Sequence, residues 1–121
     1  MTKLEIFANR IELVSGVETF VLVRRNGEIV THNMKTPDDL AAMVTICGIG
    51  SNAVMQTIGF SGLRHLSINR IDQRNFLVFY LDRYFLGVQQ VAGTDGQRLA
   101  FEIYDFLQSL LKQYQKETQS R

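Results

Sequence analysis

The segment around the single cysteine contains the residues most similar to a ligand-binding motif. Gly48, Gly50 and Ser51 are residues of the kind that cradle a phosphate, because glycine amides can approach an anion closely. A phosphate-binding loop, however, follows a strand and ends in Lys-Ser or Lys-Thr, and neither feature occurs here. We therefore expect these small residues to allow close approach of another helix, or to mark a bend in their own.

The other reactive side chains do not form a catalytic group in the sequence. Cys47 falls on the expected core face of a helix, whereas a nucleophilic thiol needs partial exposure and a nearby base. His32 and His65 fall on expected strands at positions typical of surface polar residues. The adjacent Asp38 and Asp39 point about 100° apart on a helix, so capping explains them better than acid-base or metal chemistry. We expect no catalytic residue, no cofactor and no metal site.

Arginine side chains can also supply positive charge to a phosphoryl-transfer site. Arginines at strand ends and in turns are usually solvated, however, and the sequence singles out none of those that fall at such positions. They are Arg24, Arg25, Arg64, Arg70, Arg74 and Arg83.

Charge is nearly balanced over the 121 residues, with 13 basic and 12 acidic side chains. Nucleic-acid binding normally requires a basic excess, so we expect no nucleic acid partner. One cysteine cannot form an intrachain disulfide, and with two histidines it provides too few ligands for structural zinc. The N-terminus has no basic region followed by an apolar run, which predicts a cytoplasmic location.

The charges are unevenly distributed, because residues 40–63 contain none. A segment of this length can span a bilayer, but its glycines and polar side chains make membrane insertion unfavourable. The preceding residues are typical of a helix start, with Thr36 as the cap, Pro37 at the first helical position and two acids near the positive end of the dipole. The uncharged segment is therefore predicted to be mainly helical.

Both faces of this predicted helix are apolar. One face contains Leu40, Met43, Val44, Cys47, Val54, Met55 and Ile58, and the opposite face contains Ala42, Ile46, Ile49 and Ala53. A helix that is apolar all round is buried on both sides, and a chain this short covers only one side with its own sheet. The second face therefore predicts a partner.

The flanking residues predict the other elements. A first helix covers roughly residues 2–13 and ends at Ser15 and Gly16, and a last helix begins with a Thr94 cap and Gln97 in a capping box. The predicted strands are 20–25 and 28–32, joined by a tight Asn26-Gly27 turn, and then 63–71, 75–82 and 84–91.

These elements predict one α/β (α+β) domain over residues 1–115 and a polar tail over 116–121. Residues 75–82 and 84–91 are apolar at both parities, so these strands are expected at the centre of the sheet. Residues 28–32 and 63–71 are expected at its edges. The predicted fold is a three-layer α/β/α sandwich around a five-stranded antiparallel sheet.

Four segments in this order resemble the roadblock, or dynein light chain, domain family. They are Val14–Val17, Asn26–Glu28, Leu40–Met43 and Asp82–Val88. The long last helix is similar to that of stand-alone prokaryotic members. The turn Asp72–Asn75 departs from the family pattern, in which members often carry glycine.

The resemblance implies a homodimer in which the third strand and the uncharged helix pair with their counterparts to form one continuous sheet. The contact residues expected for such a dimer are Ala42, Ile46, Ile49, Ala53, Leu66 and Ser67. The resemblance further implies a non-enzymatic interaction module that binds a Ras-like small GTPase and regulates or scaffolds it. A structural adaptor in a motor or signalling complex is an alternative, as is a small-ligand sensor in a pocket between sheet and helix.

Overall fold

The chain folds into an antiparallel sheet with helices on both faces. The computed structural model describes the backbone of residues 3–57, 65–81 and 83–119, and the side chains within these ranges except at positions 52, 54–57 and 111–119. The elements are α1 Lys3–Glu12, β1 Val17–Arg24, β2 Ile29–His32, α2 Asp38–Thr57, β3 His65–Ile68, β4 Phe76–Tyr80, β5 Tyr84–Gln90 and α3 Gly96–Gln119. The predicted order of helices and strands is confirmed.

The five strands form one sheet in the order β2-β1-β5-β4-β3, and every neighbouring pair is antiparallel. The prediction that β2 and β3 lie at the edges is therefore confirmed. The longest pairing joins β1 to β5, from Val17 opposite Gln90 to Arg24 opposite Tyr84. Successive residues of β1 face opposite sides of the sheet, and both parities are apolar, so both faces must be covered.

Helices α1 and α3 cover one face of the sheet. Ile11 of α1 and Leu99 of α3 are fully buried with Phe20 and Leu86 beneath them. The ring of Phe7 meets that of Phe20 edge to face, with centroids 6.3 Å apart. This layer contains the larger of the two core clusters.

Helix α2 covers the opposite face, which completes the predicted three layers. Its residues Leu40 and Val44 pack against Val21 and Val78 of the sheet. Gly87 of β5 lies directly beneath Val44, and a Cβ atom there would collide with the valine side chain. Among the helices that the structure describes, none is both long enough and apolar enough to cross a membrane.

The β1–β2 hairpin differs from the predicted two-residue turn. The Gly27 amide donates to the Arg24 carbonyl at 2.9 Å, and the Arg24 amide donates to the Glu28 carbonyl at 2.8 Å, so three residues form the loop. Gly27 has a φ of 95°, whereas Asn26 does not enter the left-handed region. Its side-chain oxygen instead accepts from the Glu28 amide at 3.0 Å. A three-residue loop with glycine in the left-handed position joins two antiparallel strands with the same sense of twist as the predicted two-residue turn.

The N-terminal cap of α3 also differs from the prediction. The carboxylate of Asp95, not the hydroxyl of Thr94, accepts hydrogen bonds from the amides of Gln97 at 3.0 Å and Arg98 at 3.4 Å. The helix begins at Gly96 and continues to Gln119, so residues 116–119 of the predicted tail are helical. Asp95 is preferred because its carboxylate also interacts favourably with the positive end of the helix dipole.

The turn between β3 and β4, where the sequence departs from the family pattern, contains an unusual backbone conformation. Gln73 has a φ of 63°, which accounts for the frequent choice of glycine in such a turn. Its carbonyl accepts a hydrogen bond from the side-chain amide of Gln90 at 3.0 Å, and the same amide donates to the Thr94 carbonyl at 2.9 Å. The buried Gln90 therefore joins this turn to the segment that leads into α3.

Candidate interaction surface

An apolar stripe runs along the outer side of α2. Ile46 and Ile49 are 71% and 53% exposed, and Ala42 and Ala53 are exposed beside them. These are the four α2 residues predicted to contact another copy of the chain, and the structure places them together on one face. We call Ala42, Ile46, Ile49 and Ala53 the α2 stripe.

The α2 stripe points away from the sheet. Val44 faces the sheet and is fully buried, and Ile46 is turned from it by about 200° around the helix axis. Leu40 is also buried, and Met43 and Cys47 pack against the same cluster. Val54, Met55 and Ile58, the other residues predicted for the inner face, lie outside the residues whose side chains the structure describes.

The two glycines of α2 have different environments. A Cβ atom at Gly48 would lie 2.9 Å from the Phe85 ring, so this glycine allows the helix to approach its own sheet. The expectation that Gly48 allows close approach of another helix is therefore wrong, because this glycine faces the sheet. A Cβ atom at Gly50 would have nothing within 4 Å. The helix runs from Asp38 to Thr57 through both glycines, and a phosphate-binding loop at this position is incompatible with that helix.

An open depression of about 290 Å³ lies beside the α2 stripe, between α2 and the hairpin that leads into β2. Ala42 and Ile46 of the stripe form part of its wall, and Gly27 and Ile29 form the opposite side. Of the described residues that line it, only Asp38 is charged. The depression therefore extends the exposed apolar surface toward the β2 edge of the sheet.

The predicted contact residues on β3 lie on opposite faces of the sheet. Leu66 is half-buried against the cluster beneath α2 and stands opposite Val78 of β4. Ser67 is exposed and stands opposite Leu77, whose side chain belongs to the cluster beneath α1 and α3. The structure therefore places these two residues on an edge strand of the described sheet, apart from the α2 stripe.

His65 has a structural role that the sequence did not indicate. Its Nδ1 atom lies 2.7 Å from the Tyr104 hydroxyl of α3, and its ring stacks on Phe79 with centroids 5.5 Å apart. Burial lowers the pKa of the His65 imidazole below its ordinary value of 6.5. The expected surface position is correct only for His32, which is exposed and accepts a hydrogen bond from the Met34 amide at 3.1 Å.

Two of the arginines near the β3–β4 turn have structural partners. Arg74 forms a bidentate ion pair with Glu18, with nitrogen–oxygen distances of 2.9 and 2.8 Å. This ion pair raises the pKa of the Arg74 guanidinium. Arg70 pairs with Asp72 at 3.1 Å. Within the described ranges, no three His, Cys, Asp or Glu side chains come together as a metal site. The apolar α2 stripe is therefore the strongest candidate for a functional surface.

Comparison of the sequence with known proteins finds no matching family model and no matching curated protein. Comparison of the fold is informative. A Roadblock/LC7 domain from Streptomyces avermitilis has a TM-score of 0.76 at 17% identity, over 94% of this chain and 99% of its own. Myxococcus xanthus MglB has a TM-score of 0.80 at 16% identity, over 96% of this chain and 98% of its own.

A structure described as MglB with a tetrameric arrangement is also similar, with a TM-score of 0.71 at 14% identity over 89% of this chain and 85% of its own. Identities this low establish the fold. The architecture, the strand order and nearly full coverage in both directions agree with the resemblance found in the sequence, and the chain folds as a roadblock-type domain.

Proposed function

We propose that this chain is a homodimeric interaction module that binds a Ras-like small GTPase and regulates or scaffolds it. The observation that carries the proposal is the exposed apolar α2 stripe, because a contiguous apolar surface on a small domain is typical of a protein contact. The roadblock-type fold and the family resemblance support the choice of a GTPase as the partner.

The open edge of β3 supports pairing between two copies. An edge strand presents backbone amides and carbonyls that another strand can bind, and β3 has only β4 as a neighbour in the sheet that the structure describes. Ser67 of this strand is exposed. A four-residue strand is too short to bury the ~800 Å² per partner of a standard interface. We therefore propose that both Leu66 and Ser67 and the α2 stripe contribute contacts between copies.

Light scattering on the purified protein tests the homodimer. We expect a mass of twice 13.8 kDa, and a mass of 13.8 kDa at micromolar concentration would contradict the dimer. Ser67→Lys places like charges across the paired edges and should shift the mass toward the monomer. The matched control is His32→Lys, an exposed position on the opposite edge strand, which should leave the mass unchanged.

A hydrolysis assay tests the GTPase partner. Ras-like GTPases from the source cell are purified, and binding and GTP turnover are measured with and without this protein. Binding with altered turnover supports regulation, and binding with unaltered turnover supports the adaptor alternative. Failure to bind any of them would sink the proposal of a GTPase partner.

A further inference from the structure

One of the six asparagines in the chain, Asn26, is followed by glycine, and the other five are followed by residues with a side chain. The next residue matters because its backbone nitrogen can attack the amide carbon of the asparagine side chain. A glycine nitrogen is the least hindered attacking group, since glycine has no Cβ atom. Asn26 is also exposed at the tip of the β1–β2 hairpin, so water can reach it.

The hairpin holds the reacting atoms within one hydrogen-bonded ring. The side-chain oxygen of Asn26 accepts from the Glu28 amide at 3.0 Å. The ring closed by this hydrogen bond contains both Cγ of Asn26 and the backbone nitrogen of Gly27, so these two atoms are confined to the same small loop. The Glu28 amide is also placed to stabilise the negative charge that develops on this oxygen when Cγ is attacked.

We propose that Asn26 is a site of spontaneous deamidation in the folded protein, through a cyclic imide formed with Gly27. The Gly27 nitrogen forms a bond with Cγ of Asn26, the bond between Cγ and Nδ2 breaks, and ammonia leaves with the proton that the Gly27 amide releases. A water molecule then opens the imide at either of its two carbonyls. The products are aspartate, with the original backbone, and isoaspartate, in which the backbone runs through the side-chain carbon.

The reaction requires a local opening of the hairpin. The Gly27 amide donates to the Arg24 carbonyl at 2.9 Å, and it must leave this bond and lose its proton before its nitrogen attacks. This hydrogen bond lies at the end of the hairpin, where the side chains of Arg24, Arg25 and Glu28 are exposed. Hydrogen bonds at exposed loop tips open at a low cost in free energy, so the fold slows the reaction without preventing it.

Two other asparagines are held differently and provide internal controls. The side-chain oxygen of Asn33 accepts from the Phe20 amide at 2.8 Å, and that of Asn75 accepts from the Arg70 amide at 2.7 Å. In both cases the donor belongs to an earlier residue, so the hydrogen-bonded ring does not contain the nitrogen that would attack. Methionine and phenylalanine follow these asparagines, and their side chains hinder that nitrogen.

Conversion of Asn26 changes the surface beside α2. One acidic group joins the 12 already present, which against 13 basic groups takes the formal net charge from +1 to zero. A Cβ atom at Gly27 would lie 3.6 Å from the Thr45 hydroxyl, and Gly27 lines the open depression together with Asp38. Aspartate at position 26 can keep the hydrogen bond from the Glu28 amide, whereas isoaspartate lengthens the backbone and disrupts the three-residue loop.

Peptide mapping of the full chain tests this proposal. The folded protein is incubated in mildly alkaline buffer, digested with trypsin under mildly acidic conditions, and followed over time by mass spectrometry. The peptide of residues 26–35 should gain the mass that replaces an amide NH₂ by a hydroxyl, and should separate into two products of equal mass, aspartate and isoaspartate. Fragment masses distinguish Asn26 from Asn33 in this peptide, and conversion should be several-fold faster at Asn26 than at Asn33 or Asn75. The rate should rise with pH, because the attacking nitrogen must lose its proton.

A chain unfolded in urea is the positive control, and Asn26→Ser is the matched variant. Isoelectric focusing should show the wild-type protein moving to a more acidic position with time and the Asn26→Ser protein moving several-fold less. Conversion at Asn26 in the unfolded chain alone would show that the hairpin protects this residue and would overturn the proposal. Conversion to aspartate without isoaspartate would overturn the imide route, and a rate at Asn26 no higher than at Asn33 would overturn the site. None of these outcomes bears on the proposed homodimer or on the GTPase partner.

Discussion

The imidazole Nδ1 of His65 lies 2.7 Å from the hydroxyl oxygen of Tyr104, and this contact connects edge strand β3 to helix α3. Edge strands are held by a neighbour on one side only, so a side-chain hydrogen bond to another layer restricts their movement. The rings of Phe79 and Tyr104 meet edge to face beside the imidazole. The proposed pairing edge is therefore positioned partly by α3.

Protonation of His65 should lower the stability of the fold. Burial lowers the pKa of its imidazole, so the unfolded chain binds a proton at higher pH than the folded chain. The contribution of this group to the unfolding free energy is therefore fully present above about pH 6.5, the ordinary pKa of histidine. It is lost as the pH falls through the lowered pKa of His65 in the folded chain. Urea unfolding at about pH 8 and about pH 5.5 gives the unfolding free energy at each pH, and the difference between the two values should be smaller for His65→Phe than for wild type.

The matched control for this pH dependence is His32→Gln, since His32 is exposed on the other edge strand. This variant should retain the wild-type difference in unfolding free energy between the two pH values. Equal pH dependence in wild type and His65→Phe would show that His65 does not contribute.

Replacement by alanine should lower the stability of the fold at Gly87 and raise it at Gly50. Gly87→Ala introduces a Cβ atom that collides with Val44, and overpacking of this kind costs about 1–3 kcal/mol. Gly50→Ala meets open space in a helix and should stabilise the fold by up to about 1 kcal/mol, because alanine favours the helical conformation. Denaturant unfolding of both variants checks the signs. A stable Gly87→Ala protein would mean that α2 does not pack closely on β5.

Gln90 should be important for stability although it is polar. It is 1% exposed, and its amide donates to the carbonyls of Gln73 and Thr94. Gln90→Leu leaves both carbonyls without this donor and should lower the unfolding free energy by about 1–3 kcal/mol. The control is Gln89→Leu, which loses one contact of 3.3 Å with the Thr19 hydroxyl and should cost less. Equal losses of unfolding free energy in the two variants would contradict the proposed role of Gln90 in stabilising the fold.

Two substitutions distinguish the observed cap of α3 from the one expected from sequence. Asp95→Ala removes the carboxylate that accepts from the amides of Gln97 and Arg98, and loss of such a cap costs about 1 kcal/mol. Thr94→Val removes only a hydroxyl and should have the smaller effect. Thermal unfolding of both variants gives the comparison, and a larger loss for Thr94→Val would restore the sequence-based assignment.

Local sequence patterns were sufficient for the element order and for the edge strands. Polar residues alternate with apolar ones in β3, whereas Phe76–Tyr80 is apolar at both parities, and this contrast separates an edge from a central strand without any tertiary information. Caps and turns were harder to predict. Thr94 and Asp95 are both good capping residues one position apart, so the sequence pattern does not distinguish them, whereas the structure shows the Asp95 carboxylate accepting from the helix amides.

The sequence by itself determined that α2 is apolar on both faces, because helical periodicity alone separates Val44 from Ile46. The same periodicity places Gly48 four residues after Val44 on the inner face and Gly50 four residues after Ile46 on the outer face, but it does not show what either glycine contacts. Tertiary structure decided that Gly48 packs on Phe85 and that Gly50 faces open space. It also decided that Leu66 packs beneath α2 and that Ser67 stands on the other side of edge strand β3. These contacts are set by close packing between distant segments and are absent from any local pattern.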